Sequence, residues 1–266
     1  MRLAVLSVLS ILCFGAAAQA TPPSVQLEEL TWTEVRAAIQ SGTTTIIVPA
    51  GGTEQSGPHI ALGKHNVRAR VLAGRIAAAL GDTLVAPVLA YVPEGAISPP
   101  SGHMLFPGTI SIPDAVFKNT LEAAGRSLRQ AGFTHIVLVG DHGGYQSTLK
   151  QAAADLNKEW GAGSGVRALY IPDYYRAADV AYVRALRAKG LSDVQIGSHA
   201  GTADTSMTLA IDPSLVRSNH LSGDHGPAEG TNGDPGPSSA ALGQLGVDLV
   251  VSQTVAAIRK ARAEKR

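Results

Sequence analysis

The sequence contains a single cysteine, Cys13, and its position keeps it out of the mature protein. Residues 1–20 have a basic start, an apolar stretch and the small-x-small sequence Ala18-Gln19-Ala20, which together predict a cleaved signal peptide. We therefore expect a periplasmic or secreted protein without cysteine, which can hold a metal only through histidine and carboxylate side chains. The alternative for this segment is an N-terminal membrane anchor, but the apolar stretch is short for a spanning helix.

The chain also has no marked excess of positive or negative charge. The chain has 22 basic and 21 acidic residues, and its one run of charged residues, 259–266, is typical of a solvated helix end. Nucleic-acid binding needs a basic face that neutralises phosphates. We expect neither a nucleic acid nor a membrane as a partner, and we expect a small-molecule substrate.

Motifs of several other enzyme classes are missing as well. The sequence has no G-x-x-x-x-G-K-[ST] phosphate loop, and no dinucleotide-binding G-x-G-x-x-G follows the first predicted strand. Ser56 lies in Glu-Gln-Ser-Gly-Pro, which lacks the first glycine of the G-x-S-x-G nucleophile elbow. A serine hydrolase and a nucleotide enzyme therefore fit the sequence poorly.

Apolar β-branched runs alternate with amphipathic helical periods along the chain. This alternation is typical of a mostly parallel sheet covered by helices. Strands are predicted at residues 43–48, 83–92, 135–139 and 166–172, and helices at residues 31–40, 67–80, 111–130, 148–160, 176–189 and 247–260. We predict an α/β fold with a mostly parallel central sheet, in a single domain over residues 21–266.

Two connecting segments, residues 93–109 and 222–243, are long and rich in glycine, proline and serine. Long ordered loops of this kind are often functional. The sequence Ser111-Ile112-Pro113-Asp114, which follows the first of them, has capping-box spacing and predicts a helix start. We expect both loops to form walls of a substrate pocket.

Histidine and carboxylate residues are concentrated in three short clusters. Residues 54–65 follow the first predicted strand, Asp141-His142 follow the strand at 135–139, and His199 and Asp204 precede an apolar stretch at 207–211. Ligands bind at the carboxyl ends of strands in open α/β sheets, and oxygen and nitrogen donors suit borderline metals such as zinc. The clusters predict a metal site, and the alternative is a set of unrelated polar loops.

The segment 54–65, Glu-Gln-Ser-Gly-Pro-His-Ile-Ala-Leu-Gly-Lys-His, resembles the signature of the creatininase (creatinine amidohydrolase) family, commonly E-Q-H-G-P-H-L-P-L-G-T-D. Gly108-Thr109, the sequence around Gly140-Asp141-His142 and His199-Ala200-Gly201 also match in the family's order, over roughly residues 28 to 260. The resemblance implies a three-layer α/β fold, a homo-oligomer, and metal-dependent hydrolysis of C–N bonds in linear or cyclic amides.

Departures from the family pattern change the metal site that the resemblance implies. The family typically binds two ions. Carried over, one ligand set becomes Glu54, His65 and His142, whereas the other becomes Ser56, His65 and Gly144 and loses its donors. The resemblance thus implies one divalent ion, zinc with manganese or iron as alternatives, on Glu54, His65 and His142. A shifted site that recruits His59, His103 or Asp204, and a metal-free non-catalytic protein, are the other possibilities.

His199 and Asp204 are the candidate catalytic residues that the resemblance implies. His199 aligns with a family histidine near the scissile bond, where it would protonate the leaving nitrogen or hold the oxyanion. Asp204 stands where the family usually has glutamate, and Ser198 replaces an acid of creatininase, which argues against creatinine as substrate. His59 is predicted to orient Glu54 or a loop carbonyl. The predicted function is hydrolysis of a small amide or cyclic amide, and the alternative is a non-catalytic small-molecule-binding protein.

Overall fold

The computed structural model describes residues 22–222 and 225–264. The predicted signal peptide, residues 1–20, lies outside the described residues. Four parallel strands form one sheet in the order β2-β1-β3-β4, namely β1 Thr45–Ala50, β2 Thr83–Val85, β3 His135–Gly140 and β4 Arg167–Tyr170. Because parallel neighbours need crossover connections, helices lie between the strands along the chain and cover both faces of the sheet.

The helices are α1 Trp32–Gln40, α2 Lys64–Leu80, α3 Asp114–Ala131, α4 Gln146–Trp160, α5 Asp173–Arg176, α6 Val183–Ala188, α7 Asp193–Ile196, α8 Thr202–Ile211 and α9 Ala240–Ala263. A π-helical turn, Ala177–Tyr182, joins α5 to α6. α9 has the length and mean hydropathy (1.4) of a membrane-spanning helix, and it packs in the core against α2 and α8.

Alternate residues of the central strands point to opposite layers, as the period of two requires. Ile47 and Val137 pack against α2, α8 and α9 on one face. Ile46 and Ile136 pack against α3 and α4 on the other face. The predicted three-layer α/β/α architecture with a parallel sheet is confirmed.

Several local predictions were wrong. The second strand ends at Val85 instead of residue 92, because Ala86 N donates to Ile47 O but the next hydrogen bond to β1 runs from Leu89 N to Pro49 O, so an extra residue interrupts the regular ladder. The last helix starts at Ala240 instead of residue 247, because the Ser239 hydroxyl caps it by accepting a hydrogen bond from Leu242 N. α2 starts at Lys64 instead of residue 67, so the last two residues of the family-like segment are helical. The capping box at Ser111 does not form, because the Ser111 hydroxyl accepts a hydrogen bond from Glu94 N and donates to Gly95 O.

Candidate metal centre

The register of the two central strands brings the first two chemical clusters together. Ala50 at the end of β1 pairs with Gly140 at the end of β3, so the segments that follow both strands leave the sheet side by side. The Tyr145 hydroxyl donates to a carbonyl at the end of β1 and accepts a hydrogen bond from His142 N, at 2.9 and 3.1 Å. Glu54 Oε2 consequently lies 3.3 Å from His142 Nε2.

Two residues of the long loop complete a group of four metal-ligating side chains, which we call the donor cluster. One donor atom from each member lies within 4.8 Å of the donor atoms of the others, and the members are Glu54, Glu94, His103 and His142. His103 Nε2 is 3.1 Å from Glu54 Oε2, and His142 Nδ1 is 3.3 Å from Glu94 Oε2. Two carboxylates and two imidazoles are a donor set that zinc, manganese and iron accept.

The carboxylate oxygens of the donor cluster are buried without partners. Glu94 is 4% exposed and Glu54 is fully buried, yet neither oxygen of Glu94 nor Oε2 of Glu54 has a hydrogen-bond donor among the described residues. Burial and repulsion from Glu54 raise the pKa of Glu94 to about 9. Without a cation Glu94 is therefore a neutral acid at pH 7, and a bound divalent cation would replace its proton and pair with the buried charge of Glu54.

The approach of Glu94 depends on a glycine in the segment after β1. Gly52 has φ of +150°, and a Cβ atom built at this position would lie 2.3 Å from Glu94 Oε1. Any side chain at residue 52 would therefore displace the carboxylate from the donor cluster.

The imidazoles of the donor cluster are in the protonation state that metal binding needs. Burial lowers the pKa of His142 to about 3 and also lowers that of His103, although the charge of Glu54 opposes both shifts. A neutral imidazole has one nitrogen lone pair to offer a cation, and here the Nδ1 atoms of His142 and His103 accept hydrogen bonds from Gly144 N at 3.2 Å and Gln55 Nε2 at 3.0 Å, which a bound cation would replace. Both rings can therefore act as ligands at neutral pH.

His65 lies beside the donor cluster with both ring nitrogens engaged. Nε2 donates to Glu54 Oε1 at 2.7 Å, and Nδ1 donates to Asp141 Oδ2 at 2.5 Å. Burial and Lys64 oppose protonation of His65, but the charge of Glu54 and the two hydrogen bonds outweigh them and raise its pKa. A histidine that ligates a metal commonly donates its other ring N–H to a carboxylate, as His65 Nδ1 does to Asp141, so the predicted ligand role of His65 stays a prediction. The shifted site with His103 is the alternative, because His103 lies in the donor cluster and His65 does not.

Three cationic residues on the first turns of α2, Lys64, His65 and Arg68, pair with Asp141 and Asp204. We call these five residues the ion-pair network. Lys64 Nζ is 2.5 Å from Asp204 Oδ2, Arg68 bonds Asp204 Oδ1 and Asp141 Oδ2 at 2.5 and 2.9 Å, and His65 bonds Asp141. Burial opposes ionisation of Asp204, but Lys64 and Arg68 outweigh it and hold its pKa well below the usual range. Asp204 is therefore a fixed carboxylate rather than a proton donor or acceptor.

The imidazole of His199 has an unprotonated nitrogen, Nδ1, on the side of Glu54. Its Nε2 lies 2.9 Å from the backbone carbonyl of Gln55 and must donate to it, which leaves Nδ1 unprotonated in the neutral ring. Nδ1 is 3.8 Å from Glu54 Oε1. Burial, followed by the charge of Lys64, lowers the pKa of His199 to about 4. Its neighbour Ala200 donates its N–H to Asp204 Oδ2 at 3.1 Å, so Asp204 holds the backbone beside His199.

A cavity of about 250 Å³ opens over these groups. Its lining includes the polar residues Glu54, His142 and His199 and also Tyr182, Ile196 and Met207. Arg68 also lines the cavity, but two carboxylates already hold its guanidinium group. The cavity thus combines apolar side chains with a possible metal position.

Comparison with known proteins identifies the family. The family model of creatininase, described as creatinine amidohydrolase, matches residues 28–258. The chain belongs to the creatininase family. Its relatives include the mycofactocin precursor peptide peptidase of Mycolicibacterium smegmatis, 32% identical over 188 residues, which are 69% of this chain and 64% of the peptidase. This chain thus spans less than two thirds of the peptidase's length.

Two proteins named as creatininases are similar to the chain, one by sequence and one by both sequence and architecture. The creatinine amidohydrolase of Pseudomonas putida is 29% identical over 211 residues, which are 77% of this chain and 78% of that protein. A solved structure described as "Creatininase Mn" is 26% identical and superimposes with a TM-score of 0.76, covering 91% of this chain and all of that chain. The resemblance read from the sequence motifs is confirmed.

Within this creatininase-family chain, the structure places the predicted residues unevenly. Glu54 and His142 meet in the donor cluster, and His199 and Asp204 line the same cavity. His59 lies outside the donor cluster, with Nε2 2.9 Å from Ala200 O, as the prediction of a bond to a loop carbonyl required. Glu94 was missed, and its only sequence signal is a lone carboxylate within the long glycine- and proline-rich loop.

Proposed function

We propose that this protein is a mononuclear metal-dependent hydrolase that cleaves the C–N bond of a small amide or cyclic amide. The observation that carries the proposal is the donor cluster, in which three buried carboxylate oxygens converge with two imidazoles and have no hydrogen-bond donor in the part of the chain that the structure describes. Membership of the creatininase family and relatives named as an amidohydrolase and a peptidase support the hydrolytic class.

Glu54, Glu94, His103 and His142 would hold one divalent ion, with zinc as first choice and manganese or iron as alternatives. When bound, such an ion polarises a substrate carbonyl and activates water for attack on it. The remaining residues of the cavity bind the substrate, orient it and handle protons.

His199 is the proton carrier of the proposed reaction. Because its Nε2 proton is held by the Gln55 carbonyl, its Nδ1 accepts a proton on the cavity side and can pass it to the leaving nitrogen. Asp204 acts through position rather than proton transfer, because it fixes the Ala200 N–H next to His199. This division assigns different tasks to the two predicted catalytic residues.

The charges of the cavity favour a neutral or cationic substrate. Arg68 is held by Asp141 and Asp204, so it has no free face for a substrate carboxylate. Tyr182, Ile196 and Met207 form a wall for an apolar group. We therefore propose uncharged lactams, formamides and small amides with one apolar substituent as the substrate class.

The segment 1–20 and the family resemblance support two further parts of the proposal. The signal-peptide pattern supports a periplasmic or secreted location. The resemblance to creatininases supports assembly into a homo-oligomer. Fractionation of the producing cells and light scattering of the purified protein test these two points.

A substrate screen with a matched histidine pair tests the function. The purified protein is stripped with chelator, loaded with zinc, manganese or iron, analysed for metal by mass spectrometry, and assayed on lactams, formamides and small amides. We expect His142→Ala to lose activity by at least about 100-fold and to lose bound metal. His220→Ala, which removes an exposed histidine outside the site, should change neither.

Two results would contradict the proposal. A wild-type protein that stays metal-free after loading would indicate a non-catalytic binding protein on the same fold. Activity that survives unchanged in His142→Ala would place the reaction elsewhere in the molecule.

A further inference from the structure

The two oxygens of Glu54 face different surroundings. Oε1 accepts a hydrogen bond from His65 Nε2 at 2.7 Å and lies 3.5 Å from Lys64 Nζ. Oε2 has no hydrogen-bond donor among the described residues and lies 3.1 and 3.3 Å from the imidazoles of His103 and His142. One side of this carboxylate is therefore already neutralised by the protein, and the other is open to an external cation.

Lys64 is the group that neutralises the first side. Its side chain is fully buried, and its Nζ lies between carboxylates from two different parts of the fold, 3.5 Å from Glu54 and 2.5 Å from Asp204. A position between two buried carboxylates is where proteins commonly bind a divalent ion. Here a covalently attached ammonium group occupies that position.

The placement of Lys64 runs against local helix preference. Lys64 is the first residue of α2, followed by His65 and Arg68, and the first turn of α2 contains no acidic residue. The N-terminal end of a helix carries partial positive charge, so cations there are unfavourable. Contacts with Glu54, Asp141 and Asp204 compensate for this cost, which indicates that the tertiary site rather than the helix requires these cations.

We infer that Lys64 serves as an internal cation in place of a second metal ion and restricts the centre to one divalent ion, on the Oε2 side of Glu54. A second ion near Oε1 would have to displace the ammonium group from both Glu54 and Asp204, against direct charge repulsion. The inference rests on the proposed function, because it assumes that the donor cluster binds a metal.

Metal stoichiometry tests the inference without any activity assay. Wild-type protein is titrated with zinc and with manganese, and bound metal per chain is measured by mass spectrometry and calorimetry. We expect saturation at one ion per chain. Lys64→Met keeps the length of the side chain but removes its charge, and we expect it to bind a second, weaker ion. The melting temperature of Lys64→Met should also rise more with added metal than that of the wild type.

Two control variants separate charge at residue 64 from other effects. Lys118→Met makes the same substitution in a lysine that pairs with Glu122 and Asp155, and it should bind one ion. Lys64→Arg keeps the charge and should also bind one ion.

The outcomes distinguish the inference from the proposed function. A wild type that saturates at two ions contradicts the inference and the mononuclear part of the proposed function but not hydrolysis itself, and this result does not depend on whether Lys64→Met folds. A folded Lys64→Met that still binds a single ion also contradicts it. A wild type that binds no ion contradicts the proposed function and the inference together, whereas a wild type with one ion but no hydrolytic activity supports the inference and counts against the proposed reaction.

Discussion

The donor cluster contains Glu54 and the ion-pair network contacts it, but the two regions differ in how their buried carboxylates are paired. In the network, cations from α2 face Asp141 and Asp204, and each carboxylate has charged partners at 2.5 to 2.9 Å. In the donor cluster, the oxygens of Glu94 have no donor among the described residues. A carboxylate matched by protein cations needs no external ion, whereas an unmatched one indicates where an ion is to bind.

Removal of the charge at Glu54 should have the largest effect, because Glu54 belongs to the donor cluster and also contacts Lys64 and His65 of the ion-pair network. We expect Glu54→Gln to bind metal at least about 100-fold more weakly and to lose about 3 kcal/mol of unfolding free energy, since Lys64 loses a buried partner. Urea denaturation with chelator and metal titration measure the two effects. Glu159→Gln, at an exposed pair with Arg126, should stay within about 0.5 kcal/mol of the wild type. An equally small change for Glu54→Gln would contradict the shared role.

Removal of the charge at Asp204 should damage only the network. We expect Asp204→Asn to lose about 2 to 3 kcal/mol of unfolding free energy, because Lys64 and Arg68 lose a buried carboxylate, while the donor cluster keeps one metal ion.

Since the pKa of Asp204 is lower in the folded protein, its contribution to stability is present above the unfolded pKa and is lost as the pH falls through the folded value. The wild type should therefore lose this stabilisation below about pH 4, and the variant should show a weaker acid dependence. Loss of metal from Asp204→Asn would contradict the separation of the two regions.

Substitution of Glu94 should move stability and metal binding in opposite directions. The pKa of Glu94 is raised to about 9, so folding of the metal-free protein takes up a proton between about pH 4.5 and pH 9, and its stability falls as the pH rises through that range. We expect Glu94→Gln to raise the unfolding free energy of the metal-free protein by about 1 to 3 kcal/mol at pH 7 and to weaken metal binding by about 10- to 100-fold. Denaturation at pH 5, 7 and 9 with chelator measures the first effect. A metal-free Glu94→Gln that is less stable than the wild type at pH 7 would refute the view that this carboxylate is unmatched.

Much of the fold was predictable because it depends on local pattern. The apolar runs of β1 and β3 have the length and the β-branched composition that are typical of buried strands, and their ends located Glu54 and His142. The start of α2 was not predictable, because Gly63 provides no side-chain cap and the first turn carries Lys64 and His65 instead of acidic residues.

The rest of the site depends on contacts distant in sequence. Glu94 reaches the donor cluster because Ser111 holds its backbone, which no short-range pattern shows. His65 matched a family ligand position, and its hydrogen bond to Asp141 joins residues 76 positions apart in the sequence. The protonation state of a histidine depends on the hydrogen-bond partner of each ring nitrogen, and the sequence does not show which residues these partners are.

The missing side chain at Gly52 links two distant positions of the sequence. Because a carbon atom there would take the space of Glu94 Oε1, a side chain at residue 52 requires the carboxylate of residue 94 to move or to be replaced. Creatininase relatives that pair a glycine with a loop glutamate at these sites should share this type of centre, and relatives with a bulkier residue there must build theirs from other ligands.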